Sequence, residues 1–515
     1  MQSHGRKFFI TTPIFYVNAK PHIGHIYSVL LADARARFQR LRNREETGTI
    51  FSTGTDEHGL KIQQAASGSG HQSVKDFCDQ VSGGFRKTFK DFNVECDDFI
   101  RTTEERHIQT VQHCWRQLQS RGFLSKKSYQ SWYCVQDESF LTEHQIDKDK
   151  KISLESGHPV EWGEEENYTF PLNTFKHGIQ SWLNSSEVIK PKVFKSNLDM
   201  FLKDDLPDLS VSRSSKRLSW GIPVPDDPSQ TIYVWLDALV NYLTVAGYPH
   251  ELSCWPPDCH VIGKDILKFH AIYWPSFLMA LDLPLPRQIL CHSHWTVNDE
   301  KMSKSKGNVV DPNELAEKIA SHEGLRYFLL REGVPHSDGN YSEQQLVNYL
   351  NNDLANTLGN LVNRITSQSV NVDQAFTNAE KLVIDSVEAE HVARRLEDLV
   401  ANVSRHYEDF DFYLGINDIM DCLRRTNAFV QAEKPWELKK SGNFQRLSTV
   451  CNLSIESLRI CGILLQPIVP GLCDKMLSKL KIPSKDRFFT DAHMFNGKYI
   501  NHAISQDKVV LFKKI

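Results

Sequence analysis

The N-terminal part of the chain alternates between short apolar runs and one amphipathic stretch. Residues 7–13 (KFFITTP) predict a buried strand that Pro13 ends. Apolar residues from Ile23 to Phe38 then recur at helical spacing, and residues 49–52 predict a second strand. A strand, a helix and a strand in this order predict a βαβ unit of a parallel sheet, in which ligands bind at the carboxyl ends of the strands.

The pattern changes twice further along the chain. Residues 120–230 are rich in aromatic and polar stretches and predict an inserted β-rich subdomain. The α/β pattern resumes at residues 231–235 (TIYVW) and continues through strands near 260–263 and 288–291. After residue 339, apolar stripes at 346–365, 383–400, 416–430 and 447–465 predict an all-α helical bundle.

Composition narrows the class of protein. The 515 residues include 60 Lys and Arg against 64 Asp and Glu, a net charge of −4, so a polyanion must be bound through local patches. Mean hydropathy is −0.41, and the longest apolar run, 460–472, contains Gln466, Pro467 and Pro470, so we expect no membrane span. The 11 cysteines include no C-x-x-C pair, which argues against a disulfide framework and favours a reducing compartment.

Two motifs suggest phosphate chemistry. Residues 21–25 (PHIGH) lie at the predicted strand-to-helix turn, where His22 and His25 could donate to phosphates and Gly24 allows close approach of a nucleotide. Taken alone, the histidines could equally be a helix cap and a core residue. Residues 301–308 (KMSKSKGN) precede another predicted helix, and their lysines could neutralise a leaving pyrophosphate. Taken alone, this loop could be a solvated basic turn.

Together, in this order and on a βαβ scaffold, the two motifs resemble those of the class I aminoacyl-tRNA synthetases. A P-loop kinase would need a G-x-x-x-x-G-K-S/T loop, which is absent from the sequence. Nucleotidylyltransferases share the first motif but do not usually carry a long helical appendage, and a non-catalytic tRNA-binding protein that kept the fold is the remaining alternative. The resemblance implies a Rossmann-type catalytic domain, use of ATP with Mg²⁺, and transfer of an amino acid to tRNA. The implied catalytic residues are His22, His25, Lys301 and Lys304, and the implied ATP-binding residues are His22, Gly24, His25, Lys301, Met302, Ser303, Lys304 and Ser305.

Segments 12–18, 54–59, 233–238 and 263–270 look like the methionyl members of this class. The resemblance implies that Asp56 holds the ammonium group of L-methionine and that apolar and aromatic residues surround its thioether. These pocket residues are Ile14, Tyr16, Trp235, Ala238, Tyr242, Ile266 and His270. A movable aromatic wall suits an unbranched, polarizable side chain. Without the motifs, each apolar residue would be read as core and Asp56 as a helix cap.

The spacing of the motifs and the cysteines refines this picture. From His25 to Lys301 the chain runs 301 − 25 = 276 residues, which leaves no room for the large editing domain of the leucyl, isoleucyl and valyl enzymes. Between 120 and 230 the one cysteine is Cys134, so we expect no structural zinc in the insertion. The Cys and His residues at 259, 260, 291, 292 and 294 lack ligand spacing, and we predict no metal site there.

The helical half resembles the family's readers of the CAU anticodon of tRNA(Met). The residues that carry this resemblance are Asn360, Arg364, Pro435 and Trp436. Trp436 offers a stacking face and the polar side chains offer hydrogen bonds to base edges. The alternative is that Trp436 closes a junction between helices. Residues 471–515 carry nine basic and four acidic residues, so this segment either supports tRNA or packs back on the protein.

The predicted organisation follows the motifs. We expect the first half of the catalytic domain at 1–119, the insertion at 120–230, the second half at 231–295, a loop and stem-contact region at 296–345, and the anticodon-binding bundle at 346–515. The insertion and the short end resemble the mitochondrial form, which implies the mitochondrial matrix, although no transit peptide is visible. The cytoplasm of a bacterium-like source is the alternative, and we expect a monomer.

Overall fold

The computed structural model describes residues 6–43, 48–134, 139–141, 143–154, 157–185, 187–302, 307–376, 384, 386–494, 499 and 502–515. The chain forms two compact units. The first, here called the sheet unit, comprises Met1–Pro21, Ile50–Phe89 and Glu95–His292. The second, here called the bundle unit, comprises His22–Thr49, Lys90–Val94 and Ser293–Ile515.

The regular elements are numbered in chain order. The strands are β1 Phe8–Tyr16, β2 Thr49–Asp56, β3 Asp98–Arg101, β4 Ser125–Cys134, β5 Ser139–Leu141, β6 Ile146–Asp147, β7 Ile152–Ser153, β8 Glu161–Phe170, β9 Ile189–Lys190, β10 Leu209–Ser210, β11 Ser212–Ser214, β12 Pro223–Val224, β13 Asp227–Ile232, β14 Cys259–Gly263, β15 Ile289–His292, β16 Trp295–Val297, β17 Glu300–Lys301 and β18 Gly339–Tyr341. The helices are α1 Ile23–Arg42, α2 Leu60–Ser67, α3 Val74–Asp91, α4 Glu105–Ser120, α5 Lys176–Ser185, α6 Lys195–Phe201, α7 Val234–Ala246, α8 Trp274–Ala280, α9 Pro312–Lys318, α10 His322–Glu332, α11 Glu343–Tyr349, α12 Asn360–Ile365, α13 Val387–Glu408, α14 Phe412–Glu433, α15 Pro435–Ser441, α16 Phe444–Leu465 and α17 Pro470–Lys479.

A six-stranded sheet in the order β3-β2-β1-β14-β15-β9 forms the centre of the sheet unit. The pairs β1/β14, β14/β15, β15/β9 and β2/β3 are parallel. Its strands are buried on both faces, as parallel sheets require. The predicted fold class, a parallel sheet with a β-rich insertion followed by a helical region, is confirmed.

Two local predictions are wrong. Strand β1 does not end at Pro13 but runs to Tyr16, because its pairs with β14 lie earlier, at Ile10 and Thr11, and the missing N–H of proline costs no hydrogen bond to that strand. The α/β pattern predicted to resume at residues 231–235 does not begin with a strand of the parallel sheet. Strand β13 pairs antiparallel with β11 and β12, and α7 begins at Val234.

The insertion is built on a long antiparallel pair, β4 with β8, in a sheet of order β10-β8-β4-β5. Cys134, Leu141, Ile146 and Val160 form a small apolar cluster beside it. Strand β9 lies inside the range 120–230 but pairs with β15 at the edge of the parallel sheet. Two residues are too short to show an alternating pattern, so the sequence could not reveal this strand.

Helices α13, α14 and α16 pack together in the bundle unit. Among the described residues, α16 is long and apolar enough to cross a membrane, but 94% of its apolar stretch is buried inside the protein, as in a core helix. Helix α1 belongs to this unit as well. Its buried Asp33 pairs with the buried Arg326, whose guanidinium also donates to the carbonyl groups of Pro467 and Ile468 at 2.8 and 2.6 Å.

Candidate active site

The first turn of α1 fixes both motif histidines through their Nδ1 atoms. His22 is the N-cap, and its Nδ1 accepts from the Gly24 N–H at 3.1 Å. The Nδ1 of His25 accepts from the His22 N–H at 3.2 Å, and the two rings stack with centroids 3.7 Å apart. In a neutral imidazole, a ring nitrogen that accepts leaves the proton on the other nitrogen. Both side chains therefore carry the Nε2–H tautomer when neutral.

Burial, and then the neighbouring His22, lower the pKa of His25 well below its ordinary value. His25 is therefore a neutral donor through Nε2 at neutral pH. The two readings of this motif, a cap and a phosphate ligand, are compatible, because capping uses one nitrogen of each ring and chemistry could use the other.

The second motif lies next to the first. A Cβ atom built on Gly24 would lie 3.8 Å from the methyl carbon of Met302, and the Ile23 N–H donates to the Val310 carbonyl at 3.2 Å. Residues on both sides of the loop therefore lie close to the start of α1. Exposed Lys301 ends β17, and the Asn308 side chain donates to its carbonyl at 3.3 Å, which closes the base of the loop. Ser303, Lys304 and Ser305 lie outside the described residues.

Most of the predicted methionine pocket lies in the sheet unit around α7 and the segment before α8. Trp235 stacks on Phe269, with ring centroids 3.6 Å apart and an interplanar angle of 8°. The Tyr242 hydroxyl lies 2.8 Å from Nε2 of His270, whose Nδ1 lies 2.9 Å from the carbonyl of Ile266. A carbonyl can only accept, so His270 donates from Nδ1 and Nε2 accepts from Tyr242.

Charge is kept out of this aromatic cluster. Burial lowers the pKa of His270 to about 4, so its ring is neutral, and burial also raises the pKa of Tyr242. The other three predicted residues occupy the ends of strands or α7. Ile14 and Tyr16 share one face of the end of β1. Ala238 is buried in α7.

Asp56 is the last residue of β2 and is buried. Its carbonyl accepts from the N–H of Val17, the residue after Tyr16, at 3.1 Å. The structure thus places the predicted ammonium ligand and Tyr16 at the carboxyl ends of adjacent strands, which is where ligands bind to parallel sheets.

Sequence reasoning missed the polar residues that brace this end of the sheet. Arg101 donates to both carboxylate oxygens of the buried Glu57 at 2.6 and 3.0 Å. His58 and His107 both contact the buried Asp237 of α7. A detectable signal existed for Asp237, because it is a lone acid inside the apolar run 234–240.

Four of the five residues that could have suggested a metal are buried, and His294 is half-buried. The ring nitrogens of His260 lie 2.6 Å from the Thr11 hydroxyl and 3.2 Å from the Trp274 indole nitrogen. Cys259 and Cys291 are buried in β14 and β15. Within the described ranges, no three His, Cys, Asp or Glu side chains are close enough together to hold a metal ion.

The predicted anticodon residues all belong to the bundle unit, and two of them are in contact. The guanidinium carbon of Arg364 lies 5.7 Å from the ring centroid of Trp436, and its Nη2 donates to the Gln431 side chain at 2.9 Å. Asn360 is exposed one turn earlier on α12, and the buried Pro435 begins α15. Asn360 and Arg364 are four residues apart and therefore lie on the same face of the helix, where both could contact a base.

The basic segment 471–515 makes contacts along the bundle unit. The N–H of Leu472 donates to the carboxylate of Glu323 in α10 at 2.8 Å. The side-chain nitrogen of Asn351 donates to the Ile515 carbonyl at 2.9 Å. These contacts favour the alternative in which this segment packs on the protein.

Comparisons with known proteins identify the family. The family model "tRNA synthetases class I (M)" matches residues 8–149 and 147–366. The chain belongs to the methionine family of class I tRNA synthetases. A second model, "Anticodon-binding domain of tRNA ligase", matches residues 390–508 of this family member.

Individual relatives agree with this assignment. The chain is 48% identical to the mitochondrial methionine–tRNA ligase of Homo sapiens over 518 residues, covering 96% of this chain and 87% of the relative. For the Bos taurus enzyme of the same name, the identity is 47% and the coverage 95% and 86%. A solved structure of Mycobacterium tuberculosis methionyl-tRNA synthetase in complex with methionyl-adenylate is 35% identical, with a TM-score of 0.92, and covers 99% of this chain and 100% of that one.

Proposed function

We propose that this chain performs both steps of methionine–tRNA ligation. It is a methionine–tRNA ligase, as its family membership states. ATP activates L-methionine to methionyl-adenylate with release of pyrophosphate, and the methionyl group then passes to tRNA(Met) with release of AMP. The observation that carries the nucleotide half of this proposal is that Met302 and Val310 of the second motif region lie against the first turn of α1, beside His22 and Gly24.

In the first step, a carboxylate oxygen of methionine attacks the α-phosphorus of ATP in line, and the bond to the bridging oxygen of pyrophosphate breaks. His22 and His25 donate from Nε2 to phosphate oxygens, and Lys301 and Lys304 stabilise the charge that builds on the leaving pyrophosphate. Met302, Ser303 and Ser305 contribute to ATP binding. Mg²⁺ bound to the phosphates of ATP would neutralise part of their charge.

Methionine is held in the sheet unit. The Asp56 carboxylate orients the ammonium group through a charge-assisted hydrogen bond. Trp235, Tyr242 and His270 form the aromatic wall, and Ile14, Tyr16, Ala238 and Ile266 fill the remaining apolar sides. The neutral state of His270 supports this role, because an uncharged wall favours an apolar thioether over a charged side chain.

In the second step, a hydroxyl oxygen of the terminal ribose of tRNA attacks the methionyl carbonyl carbon, the bond to the phosphate oxygen of AMP breaks, and the hydroxyl proton is lost. Selection of tRNA(Met) uses its CAU anticodon. Trp436, oriented by Pro435, stacks on an anticodon base that has left the base stack. Asn360 and Arg364 form hydrogen bonds with the edges of anticodon bases.

The names of the relatives support mitochondrial protein synthesis as the setting, and we propose the matrix as the compartment. We propose that the chain acts as a monomer. Light scattering of the purified protein, at the concentration used in the activity assays, tests whether it is a monomer. A mass of twice 59.2 kDa would refute the monomer proposal.

Aminoacylation of two transcripts tests the ligation proposal as a whole. A tRNA(Met) transcript with the CAU anticodon should accept methionine, and the same transcript with a changed anticodon should be charged far more slowly. Equal charging of both transcripts would refute anticodon selection while leaving activation intact. Failure to charge either one would refute the transfer step.

A further inference from the structure

A buried carboxylate in α7 bridges two histidines, and residues next to it along the helix belong to the proposed methionine pocket. Asp237 is 1% exposed in the apolar helix α7. Its Oδ2 lies 2.7 Å from Nδ1 of His58 and its Oδ1 lies 2.8 Å from Nε2 of His107. The second nitrogen of His107 lies 3.0 Å from the Thr244 hydroxyl. The mechanism proposed above assigns no role to these residues.

The bridge joins two parts of the pocket that are far apart in sequence. His58 is two residues after Asp56, the proposed ammonium ligand, and Asp237 lies between Trp235 and Ala238 of the proposed thioether wall. His107 comes from α4, which packs against α7. The bridge therefore connects the segment that carries Asp56, the proposed ligand of the ammonium group, to α7, which carries part of the proposed thioether wall.

The loop that follows β2 is anchored on its other side as well. The bidentate contact of Arg101 fixes the Glu57 carboxylate, and the Trp220 indole donates to the Glu57 carbonyl at 2.6 Å. The loop is thus tied to β3 and to the insertion by Glu57, and to α7 by His58. Asp56 is the last residue of β2 and directly precedes these two anchored residues, so its backbone has little freedom to move.

A buried carboxylate is costly unless hydrogen bonds satisfy it. Because a carboxylate accepts only, both facing ring nitrogens carry hydrogen, Nδ1–H on His58 and Nε2–H on His107. The two rings therefore meet Asp237 through different nitrogens. This asymmetry makes specific predictions for amide replacements, because the asparagine nitrogen mimics Nδ1 of histidine and the glutamine nitrogen mimics Nε2.

We propose that Asp237 is a positioning residue for methionine. Through His58, it holds the Asp56 carboxylate at a fixed distance from the aromatic wall on α7, so that the ammonium and thioether ends of methionine are recognised together. His107 braces Asp237 from the opposite side. This inference rests on the proposed role of Asp56.

Steady-state ATP–pyrophosphate exchange tests the inference through the Michaelis constants of the two substrates. His58→Gln and Asp237→Asn should raise the KM for methionine roughly 10- to 100-fold, the effect of leaving a buried hydrogen-bonding group unsatisfied. The KM for ATP should change by less than about 3-fold, because the proposed nucleotide contacts lie on other elements. His58→Asn should stay within about 3-fold of wild type for methionine, because its amide can still donate from the Nδ1 position.

The two variants of His107 should show the opposite order of effects on the KM for methionine, because His107 contacts Asp237 through Nε2. His107→Gln should retain methionine affinity, and His107→Asn should lose it. Thermal melting of all four histidine variants separates positioning from folding, since Asn and Gln at one site remove the same ring. A parallel rise in the KM of both substrates, or equal behaviour of Asn and Gln at position 58, would overturn the inference.

Asp56→Ala separates this inference from the proposal on which it rests. If Asp56→Ala leaves the methionine KM unchanged, the ammonium role of Asp56 is wrong. If Asp56→Ala raises that KM but the variants of His58 and Asp237 do not, Asp56 binds methionine without this bridge and the positioning inference alone is refuted.

Discussion

Replacing Gly24 by alanine should separate the stability of α1 from its chemistry. A Cβ atom at this position would lie 2.9 Å from Cε1 and 3.0 Å from Nδ1 of His22, closer than van der Waals contact allows. The imidazole is the movable partner, so the ring must leave the position in which it caps the helix. Alanine favours the helix by up to about 1 kcal/mol over glycine, and the lost cap costs about 1 kcal/mol. The free energy of unfolding should therefore change by no more than about 1 kcal/mol.

The activity should respond much more strongly. Displacing a donor that stabilises developing charge lowers kcat by about 100- to 1,000-fold, and we expect a loss of this size in methionine-dependent ATP–pyrophosphate exchange. Gly83→Ala is the matched control, because Gly83 is exposed in α3 and a Cβ there meets nothing within 4 Å. This variant should be stabilised by about 0.5–1 kcal/mol with unchanged exchange. Exchange by Gly24→Ala within about 3-fold of wild type would refute the role of the His22 ring position.

Three further results are expected. Trp436→Ala should reduce aminoacylation far more than tRNA-independent exchange. The control Phe444→Ala, which removes a side chain that is 61% exposed at the start of α16, should change neither activity. Equal losses in both assays would show that Trp436 has a structural role. The pKa of His270 in the folded state, about 4, lies below its ordinary value of 6.5. Because the unfolded state then binds more protons, the free energy of unfolding should fall as the pH drops from 6.5 towards 4, and this group should contribute about 3 kcal/mol of that fall. Urea titrations at several pH values should show a smaller drop for His270→Gln, and an identical pH dependence in the two proteins would contradict this assignment. Because Cys134 lies in an apolar cluster, treatment with a zinc chelator followed by restored Mg²⁺ should leave exchange intact, and a loss that added zinc reverses would show a structural metal.

Local periodicity and motif order were sufficient for much of the architecture. The helical stripe from Ile23 to Phe38 lies within α1, and the stripe at 447–465 lies within α16. The two motifs predicted a nucleotide site because each has a distinctive composition at an expected place in a βαβ fold. The resemblance of the chain to the methionyl family, which rested on four further segments, is confirmed by the family match and the relatives.

The features that could not be predicted from the sequence depend on contacts between residues that are far apart along the chain or on atomic positions. His58 and Asp237 are 179 residues apart, and no local pattern predicts their hydrogen bond. The direction of β13 is set by its neighbours β11 and β12, whereas its own residues fit either kind of sheet. The tautomers of His22 and His25 follow from backbone groups at the start of α1, so they needed atomic positions.

The most direct test of the account is ATP–pyrophosphate exchange by the purified chain, with methionine and leucine compared side by side in the absence of tRNA. In the proposed mechanism, this reaction requires methionine binding by the wall of Trp235, Tyr242 and His270, and it also requires the chemistry of the first turn of α1. The account predicts rapid exchange with methionine and little with leucine. Folded protein that shows no exchange with methionine, or that exchanges with leucine instead, would contradict it.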